Sequence, residues 1–417
     1  MPNMHHGIAI TDAFMEAVRN LQMWDLIDPK SGLVVESVDA FDLWIDILEC
    51  RKTETGEPFL LFIDTVNRYK PDEYKALGLA VSSSNICTEI TIYTDKDTTA
   101  VCCLASKNLE YWYEYEPILE QFTADISDYL DNVLKVFLEE TSKFTGMKAE
   151  AFKRVRKSVI ESRDIGIGAM GLHSLYQKKN IPFESPMAKA LNKRIFSSIR
   201  EASDKHQEKI CTDNPELICP MSRKAGTRRR NILTMAIAPT MGISNLMNLA
   251  SSGIEPWVSN AFTKKLIQGS FAIRNKYLAK YIEDYYSDHL FEDPTTTASW
   301  INEQWSSIIK HGGSVLHLDW MSDYAKDVFK TAFEIDQRAI IGQAADRQVD
   351  IDQSQSLNIF LPAECSYEEL HAIHFMMWEL ELKSAYYLRS EPETTADTSN
   401  KERKAITLED DACVSCT

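Results

Sequence analysis

Residues 231–238, Asn-Ile-Leu-Thr-Met-Ala-Ile-Ala, form an apolar run that stops at Pro239, as a buried strand running into a loop does. Working outward, Phe59-Leu60-Leu61-Phe62-Ile63 reads as another short buried strand, and 85–93 and 99–104 as two more. Apolar residues at helical spacing fill the intervals: 36–50, most of 111–209 with Pro182 and Pro186 as punctuation, then 261–285, 321–345 and 366–383. Short apolar strands separated by helices predict an α/β fold with largely parallel pairing. With 417 residues, 44% of them hydrophobic, the chain can bury one large core or two ordinary ones. No internal repeat is visible.

The charge balance excludes some partners. Against 45 basic residues stand 62 acidic ones, a net −17, which opposes binding to a nucleic-acid backbone. The basic cluster Lys224 to Arg230 (KAGTRRR) reads as a solvated turn before a strand rather than a phosphate site. No apolar stretch approaches the roughly 18 residues that would span a bilayer, and the start, MPNMHHGIAITDAF, is not a secretory signal. The expected compartment is the cytoplasm, where thiols stay reduced. Nine unevenly spaced cysteines then suggest redox chemistry or plain burial, not a disulfide framework.

Five stretches carry chemistry. In Ser84-Asn85-Ile86-Cys87-Thr88-Glu89-Ile90, an extended backbone would project Asn85, Cys87 and Glu89 from one face, because strand side chains alternate. An amide, a thiol and a carboxylate together can bind a diol, attack it and move its proton, although a strand with one buried cysteine looks similar. Fifteen residues after Cys87 comes Cys102, followed by Cys103, which alternation puts on the opposite face. The chain ends in Cys413-Val-Ser-Cys416-Thr417, after a segment (389–412) with almost nothing to support a core. A dithiol on such a tether suits thiol–disulfide exchange, and roughly 24 residues of flexible coil reach about 25–30 Å. Tyr386-Tyr387 follows an amphipathic helix, and alone would signify packing. Ala238-Pro239-Thr240-Met241-Gly242-Ile243-Ser244 is a turn able to offer backbone N–H groups to a phosphate. A sixth stretch, GIGAMG at 166–171, matches the dinucleotide fingerprint by letter only. The charged, helical 153–163 before it is the wrong context, so its glycines read as close helix packing.

Taken in order, these stretches resemble the large subunit of class I ribonucleotide reductases. SNICTEI (84–90) resembles the family's radical-cysteine strand and AVCCLAS (100–106) its redox-cysteine strand. RDIGIGAMGLHSLY (163–176), PFES…LNKRIF (182–196), APT…GIEPWVSN (238–260), DRQVDIDQSQSLNIF (346–360) and LKSAYYLRSEP (382–392) follow in the family's order. The resemblance implies the C-terminal half of a ten-stranded α/β barrel with surrounding helices over 1–391, and a flexible redox tail over 392–417. It implies that Cys87 holds a thiyl radical, that Glu89 is the general base and that Asn85 binds the ribose hydroxyls. Cys102 would be one of two reducing thiols, Tyr386 and Tyr387 the radical relay, and Thr240, Met241, Gly242, Ile243 and Ser244 the diphosphate cradle. Cys413 and Cys416 would regenerate the active-site dithiol.

The implied substrate is a ribonucleoside diphosphate, and the implied reductant is thioredoxin or glutaredoxin. No metal or other cofactor is expected on this chain; a metal–radical cofactor is expected in a small radical-generating subunit. The partner of Cys102 is missing, because Cys50, the only cysteine before Cys87, sits on a helical pattern. A split large subunit is therefore expected, whose N-terminal half is a separate polypeptide that supplies the second thiol. The family's pattern is departed from at Cys103, which makes the redox thiol Cys102 or Cys103, and at Met241 and Ile243 in the phosphate turn. Two other functions fit parts of the pattern. An adenosylcobalamin-dependent reductase does not need Tyr386-Tyr387, and a non-catalytic assembly or regulatory remnant needs neither Cys87 nor the tail cysteines.

Overall fold

A computed structural model describes residues 4–52, 55–266, 269–289 and 294–390. Cys413 and Cys416, and the tail they belong to, lie outside the described residues. Strands are β1 (Gly7–Ile10), β2 (Met23–Ile27), β3 (Val34–Asp39), β4 (Phe59–Phe62), β5 (Cys103–Asn108) and β6 (Ile165–Met170). They are followed by β7 (Ala261–Leu266), β8 (Gly269–Arg274), β9 (Ile359–Leu361), β10 (Ser384–Ala385) and β11 (Leu388–Ser390).

Seven of the strands and two irregular stretches join edge to edge into one arc, while β2–β3 and β7–β8 form separate two-stranded sheets. β1 pairs in parallel with β4, and β4 antiparallel with β10. Beyond β10 the chain runs beside residues 357–361: Tyr386 N–H donates to Leu357 O at 2.9 Å, and β11 pairs in parallel with β9. Single parallel bridges then connect Gln355 to Ile237 and Met235 to Ile167 of β6, which pairs in parallel with β5. The parallel steps are made by helical crossovers, as they must be. Leu119–Ser142 and Gly146–Ser162 connect β5 to β6, Pro186–Asp213 follows β6, and Tyr367–Glu379 lies between β9 and β10. Among the described residues the arc does not close into a ring, and the outer edge of β5 pairs with no strand.

Local sequence explains the helix starts. Ser185 caps the helix Pro186–Asp213 by accepting from Ala188 N–H at 3.1 Å, with Pro186 in the first turn where no N–H is needed. Ser366 caps Tyr367–Glu379 in the same way through Glu369 N–H at 3.2 Å. Both helices lay Leu, Ile and Phe or Met side chains onto the arc. β4 and β6 are buried along their whole length, which is why they read as unbroken small or apolar runs instead of alternating ones.

Several expectations need correction. Residues 85–93 are not a strand; they turn, with Thr88 at φ +65°. The strand expected at 99–104 begins at Cys103, and the helical interval 111–209 is interrupted by β6. The glycines of 166–171 therefore serve strand packing, not helix packing. A Cβ on Gly168 would stand 2.6 Å from the Ala236 carbonyl oxygen, and one on Gly166 2.3 Å from Leu104 Cδ2. Residues 261–285 open as the hairpin β7–β8 before the helix Lys276–His289, and 321–345 splits into helices Asp323–Val328 and Gln337–Gln348. The basic cluster is paired with acidic residues rather than simply solvated. Arg230 and Arg163 converge on Asp131 at 2.9 and 2.7 Å, and hold its carboxyl low although burial pushes it up. No helix among the described residues is long and apolar enough to cross a membrane.

One local feature opposes folding. Lys107 on β5 is 1% exposed, and its Nζ has no hydrogen-bond partner; it lies 4.1 Å from the centre of the Phe122 ring. Burial lowers its pKa from 10.5 to about 7. Because the unfolded chain binds this proton more tightly, stability is lost as pH falls from 10.5 towards 7 and is level below that. Replacing Lys107 by Met is expected to raise the melting temperature at neutral pH. The gain should shrink as pH rises towards 10.5 and vanish there, measured by thermal denaturation across that range.

Candidate active site

Asn85, Cys87 and Glu89 come together through a turn rather than through strand alternation. Thr88 N–H donates to Asn85 O at 3.1 Å, which folds Glu89 back towards the Asn85 side chain. Asn85 then uses both ends of its amide: Oδ1 accepts from Ile90 N–H at 3.0 Å, and Nδ2 donates to Glu89 Oε2 at 2.8 Å. Cys87 and Glu89 are both 0% exposed. From the neighbouring stretch 353–358, Ser354 N–H donates to Glu89 O at 2.9 Å. Ser356 Oγ lies 2.5 Å from Cys87 O and 3.3 Å from Glu89 Oε2.

On the other side of Cys87 stand the two tyrosines. Tyr386 OH points at Cys87 Sγ from 3.4 Å, and its ring centre is 4.3 Å from that of Tyr387. Phe59 of β4 packs 4.8 Å from both rings, so the four side chains form one small cluster inside the arc. Burial, reinforced by the Cys87 thiol, pushes the Tyr386 phenol far above its ordinary pKa, which keeps it neutral. Its backbone is held by Arg51, a fully buried guanidinium that donates to Tyr386 O at 2.9 Å and to His374 Nε2 at 3.2 Å. Arg51 also bonds Pro58 O, and desolvation lowers its pKa to about 9. The Arg389 guanidinium covers the Tyr387 ring at 4.2 Å.

The vicinal thiols diverge. Cys102 is half-buried among Ile90, Tyr93 and Ile232, and its Sγ accepts from Gln353 Nε2 at 3.6 Å. Cys103 packs into the main core on the opposite side of the strand. Burial pushes the Cys102 thiol well above its usual value, and the Gln353 bond opposes this only in part. Gln353 links Cys102 to the Glu89 neighbourhood, since Ser354 follows it.

The turn 240–244 continues from Ile237, the residue bridged to Gln355, and so leaves the arc beside Ser356. Thr240 takes a left-handed φ of +59° and opens the short helix Met241–Leu246. Its hydroxyl is used internally, accepting from Gly253 N–H at 2.7 Å, and Ser244 Oγ bonds Met241 O at 3.2 Å. What the turn can offer a ligand is backbone: the first-turn N–H groups of Met241, Gly242 and Ile243 have no acceptor within the helix.

Sequence reasoning assigned no role to Gln353, Ser354, Ser356, Arg51 or Phe59. The available signal was the run Asp352-Gln-Ser-Gln-Ser-Leu-Asn358, polar residues inside a stretch that the structure buries completely but for Asp352. A polar cleft of about 540 Å³ lies elsewhere, lined by Arg200, Arg229, Asp352 and Lys383 among others. Its two arginines are already paired with Asp352 and Asp204. Among the described residues no group of His, Cys, Asp and Glu side chains could hold a metal ion.

The family model for the ribonucleotide reductase barrel domain matches residues 1–216 and 221–388. The chain belongs to that family. It is 39% identical over 385 residues to the ribonucleoside-diphosphate reductase large subunit of Invertebrate iridescent virus 3, covering 92% of this chain and 58% of that one. To the large subunit of Danio rerio it is 31% identical, over 94% of this chain and 52% of that one. Among solved structures, the class Id ribonucleotide reductase alpha subunit of Actinobacillus ureae superposes with a TM-score of 0.78 at 32% identity, over 93% of this chain and 65% of that one. The reductase-family chain thus spans less than two thirds of the length of these relatives.

Thiol chemistry gives a direct check of this barrel-family site. The raised pKa of Cys102 leaves less thiolate at any mildly alkaline pH, and Cys87 is enclosed, whereas Cys50 is exposed. Iodoacetamide should label Cys50 ahead of Cys102, and Cys102 ahead of Cys87, in the native protein, read by peptide mass spectrometry over time.

Proposed function

We propose that this chain is the radical-bearing part of a ribonucleoside-diphosphate reductase large subunit, converting ribonucleotides to 2′-deoxyribonucleotides. The observation that carries the reading is the contact of Tyr386 OH with Cys87 Sγ at 3.4 Å, with the Tyr387 ring tilted against Tyr386 and the Asn85–Glu89 pair beside it. Packing alone requires no such line of tyrosine, tyrosine and thiol. A neutral phenol beside a neutral thiol can exchange a hydrogen atom with no net charge moved through the buried site.

In this reading Cys87, as a thiyl radical, takes the ribose 3′-hydrogen and becomes a thiol. Glu89 takes the 3′-hydroxyl proton while Asn85 fixes its carboxylate. The 2′-hydroxyl leaves as water with a proton from one reducing thiol, and the second thiol's hydrogen goes to the 2′ carbon. The two sulfurs supply two electrons and join as a disulfide, and Glu89 gives its proton back to the 3′ oxygen. The Cys87 thiol then returns its hydrogen atom to the 3′ carbon. Cys102 is one reducing thiol; it faces the Gln353 side of the site, whereas Cys103 packs away from it. The diphosphate rests on the N–H groups of 241–243. A small subunit carrying a metal–radical cofactor feeds the relay, and thioredoxin or glutaredoxin renews the dithiol through Cys413 and Cys416.

The second reducing thiol belongs to an N-terminal half of the large subunit, on a separate polypeptide. Two features support this: the outer edge of β5 is unpaired among the described residues, and Cys102 next to that strand keeps partial exposure. An added strand there would extend the arc and bring a side chain opposite Cys102.

Reduction of ribonucleoside diphosphate is the test, with this chain, an N-terminal-half polypeptide, the small subunit and a dithiol. The complete mixture should produce deoxynucleotide, and Cys87→Ser and Tyr386→Phe should each abolish it while leaving the melting temperature nearly unchanged. Failure of the complete wild-type mixture, with the halves stably associated, would sink the reading. Turnover without the N-terminal half would sink the split-thiol part of it.

A further inference from the structure

We infer that Ser356 is a positioning residue, a latch that holds the Cys87–Glu89 turn closed over the thiol. The inference rests on the functional reading above only for its consequence in turnover; the latch itself is a matter of geometry.

Ser356 stands where three segments meet. Its backbone N–H donates to Ile237 O at 2.9 Å, the residue from which the 240–244 turn departs. Its hydroxyl donates to Cys87 O at 2.5 Å, and the same Oγ lies 3.3 Å from Glu89 Oε2. Ser356 is 1% exposed, so water does not compete for these contacts. Asn85 holds the turn from within, bonding Glu89 and Ile90. From outside the turn, the Ser356 hydroxyl bonds the carbonyl of Cys87 itself, and Ser354 N–H bonds that of Glu89.

A serine hydroxyl carries one hydrogen and faces two acceptors here. At the observed distances the hydrogen goes to Cys87 O, and a lone pair of Oγ is turned towards Glu89. That arrangement repels a carboxylate slightly and welcomes a carboxylic acid, which can donate to Oγ. When Glu89 gains a proton, the order becomes Glu89 O–H to Ser356 Oγ, and Ser356 O–H to Cys87 O, with every hydrogen used once. The latch is therefore tightest in the state in which Glu89 holds the proton taken from the substrate. The Cys87 backbone is steadied while its sulfur must return a hydrogen atom.

Ser356→Ala removes the hydroxyl without adding bulk. In that variant the alkylation rate of Cys87 by iodoacetamide is expected to rise about tenfold, as the turn opens locally without its outside bond. Cys211 and Cys365, buried far from the turn in sequence and outside the cluster that holds Ile90 and Ile92, serve as internal controls and should stay as slow as in the wild type. In the complete reductase mixture the same variant should lower kcat about tenfold and leave KM within about twofold. Unchanged protection of Cys87 in Ser356→Ala would overturn the latch. So would equal exposure of all three thiols, which would make Ser356 a residue of general stability. If the wild-type mixture makes no deoxynucleotide while Cys87 still opens selectively in the variant, the latch stands and the reductase reading falls.

Discussion

The extended stretch 353–358 is bonded on both sides and at its face, and the site exists only because it is. On one side Ile237 N–H and Gln353 N–H tie it to the 235–237 stretch; on the other, Tyr386 N–H and Tyr387 N–H tie it to the tyrosine strand. At its face Ser354 and Ser356 hold the turn that carries Cys87 and Glu89. Thiol, carboxylate and phenol come from three distant parts of the chain, and each is indexed against this one stretch. A shift of one residue in its register would move every side chain to the opposite face and separate them.

That stretch is itself anchored by charge at its beginning. Lys383 sends Nζ to the carbonyls of Ile351, Asp352 and Gln353 at 3.0, 2.9 and 2.6 Å. The Asp352 carboxylate receives Thr234 N–H and Met235 N–H, both at 2.9 Å, and the Arg200 guanidinium. Burial lowers Lys383 to about 8 in spite of Asp352 nearby, which shows how far the anchor is removed from solvent. Such groups are costly to bury and costlier to leave unpaired, so a paired anchor tolerates few alternatives. Lys107 is the contrast: a buried amine with a ring above it and no acceptor, a place where stability is forgone.

The electrostatic character of the tyrosine–thiol cluster follows from the same burial. Tyr386 lies with Cys87 and Phe59 in a small apolar cluster, where ionisation of its phenol is disfavoured. The proposed hydrogen-atom exchange would escape that penalty, because electron and proton travel together. The cations beside the tyrosines, Arg51 and Arg389, touch a backbone carbonyl and a ring face. These contacts fix the position of the two rings.

The apolar run at 59–62 and the helical intervals were enough to point to an α/β chain, because a strand buried on both faces demands an unbroken apolar run. Residues 231–238, expected as a strand too, are buried but irregular and make only single parallel bridges at Met235 and Ile237. The family resemblance, and with it the interest of Asn85, Cys87, Glu89, Tyr386 and Tyr387, was also legible in local wording. Three things were not. The glycines at 166 and 168 read as helix packing until the neighbouring Ala236 carbonyl and Leu104 side chain show why a strand there leaves no room for a Cβ. Residues 85–89 pass for a strand by composition, since the turn at Thr88 is stabilised by the Ser354 and Ser356 contacts from more than 260 positions away. Ser356 itself is an ordinary serine in a polar run, and acquires a role only by where its one hydrogen points. Sequence by itself determined which residues carry reactive groups and which segments must be buried, because those depend on side-chain chemistry and short-range periodicity. Only the tertiary structure decided which of those groups meet, because long-range backbone pairing sets that and leaves no local trace.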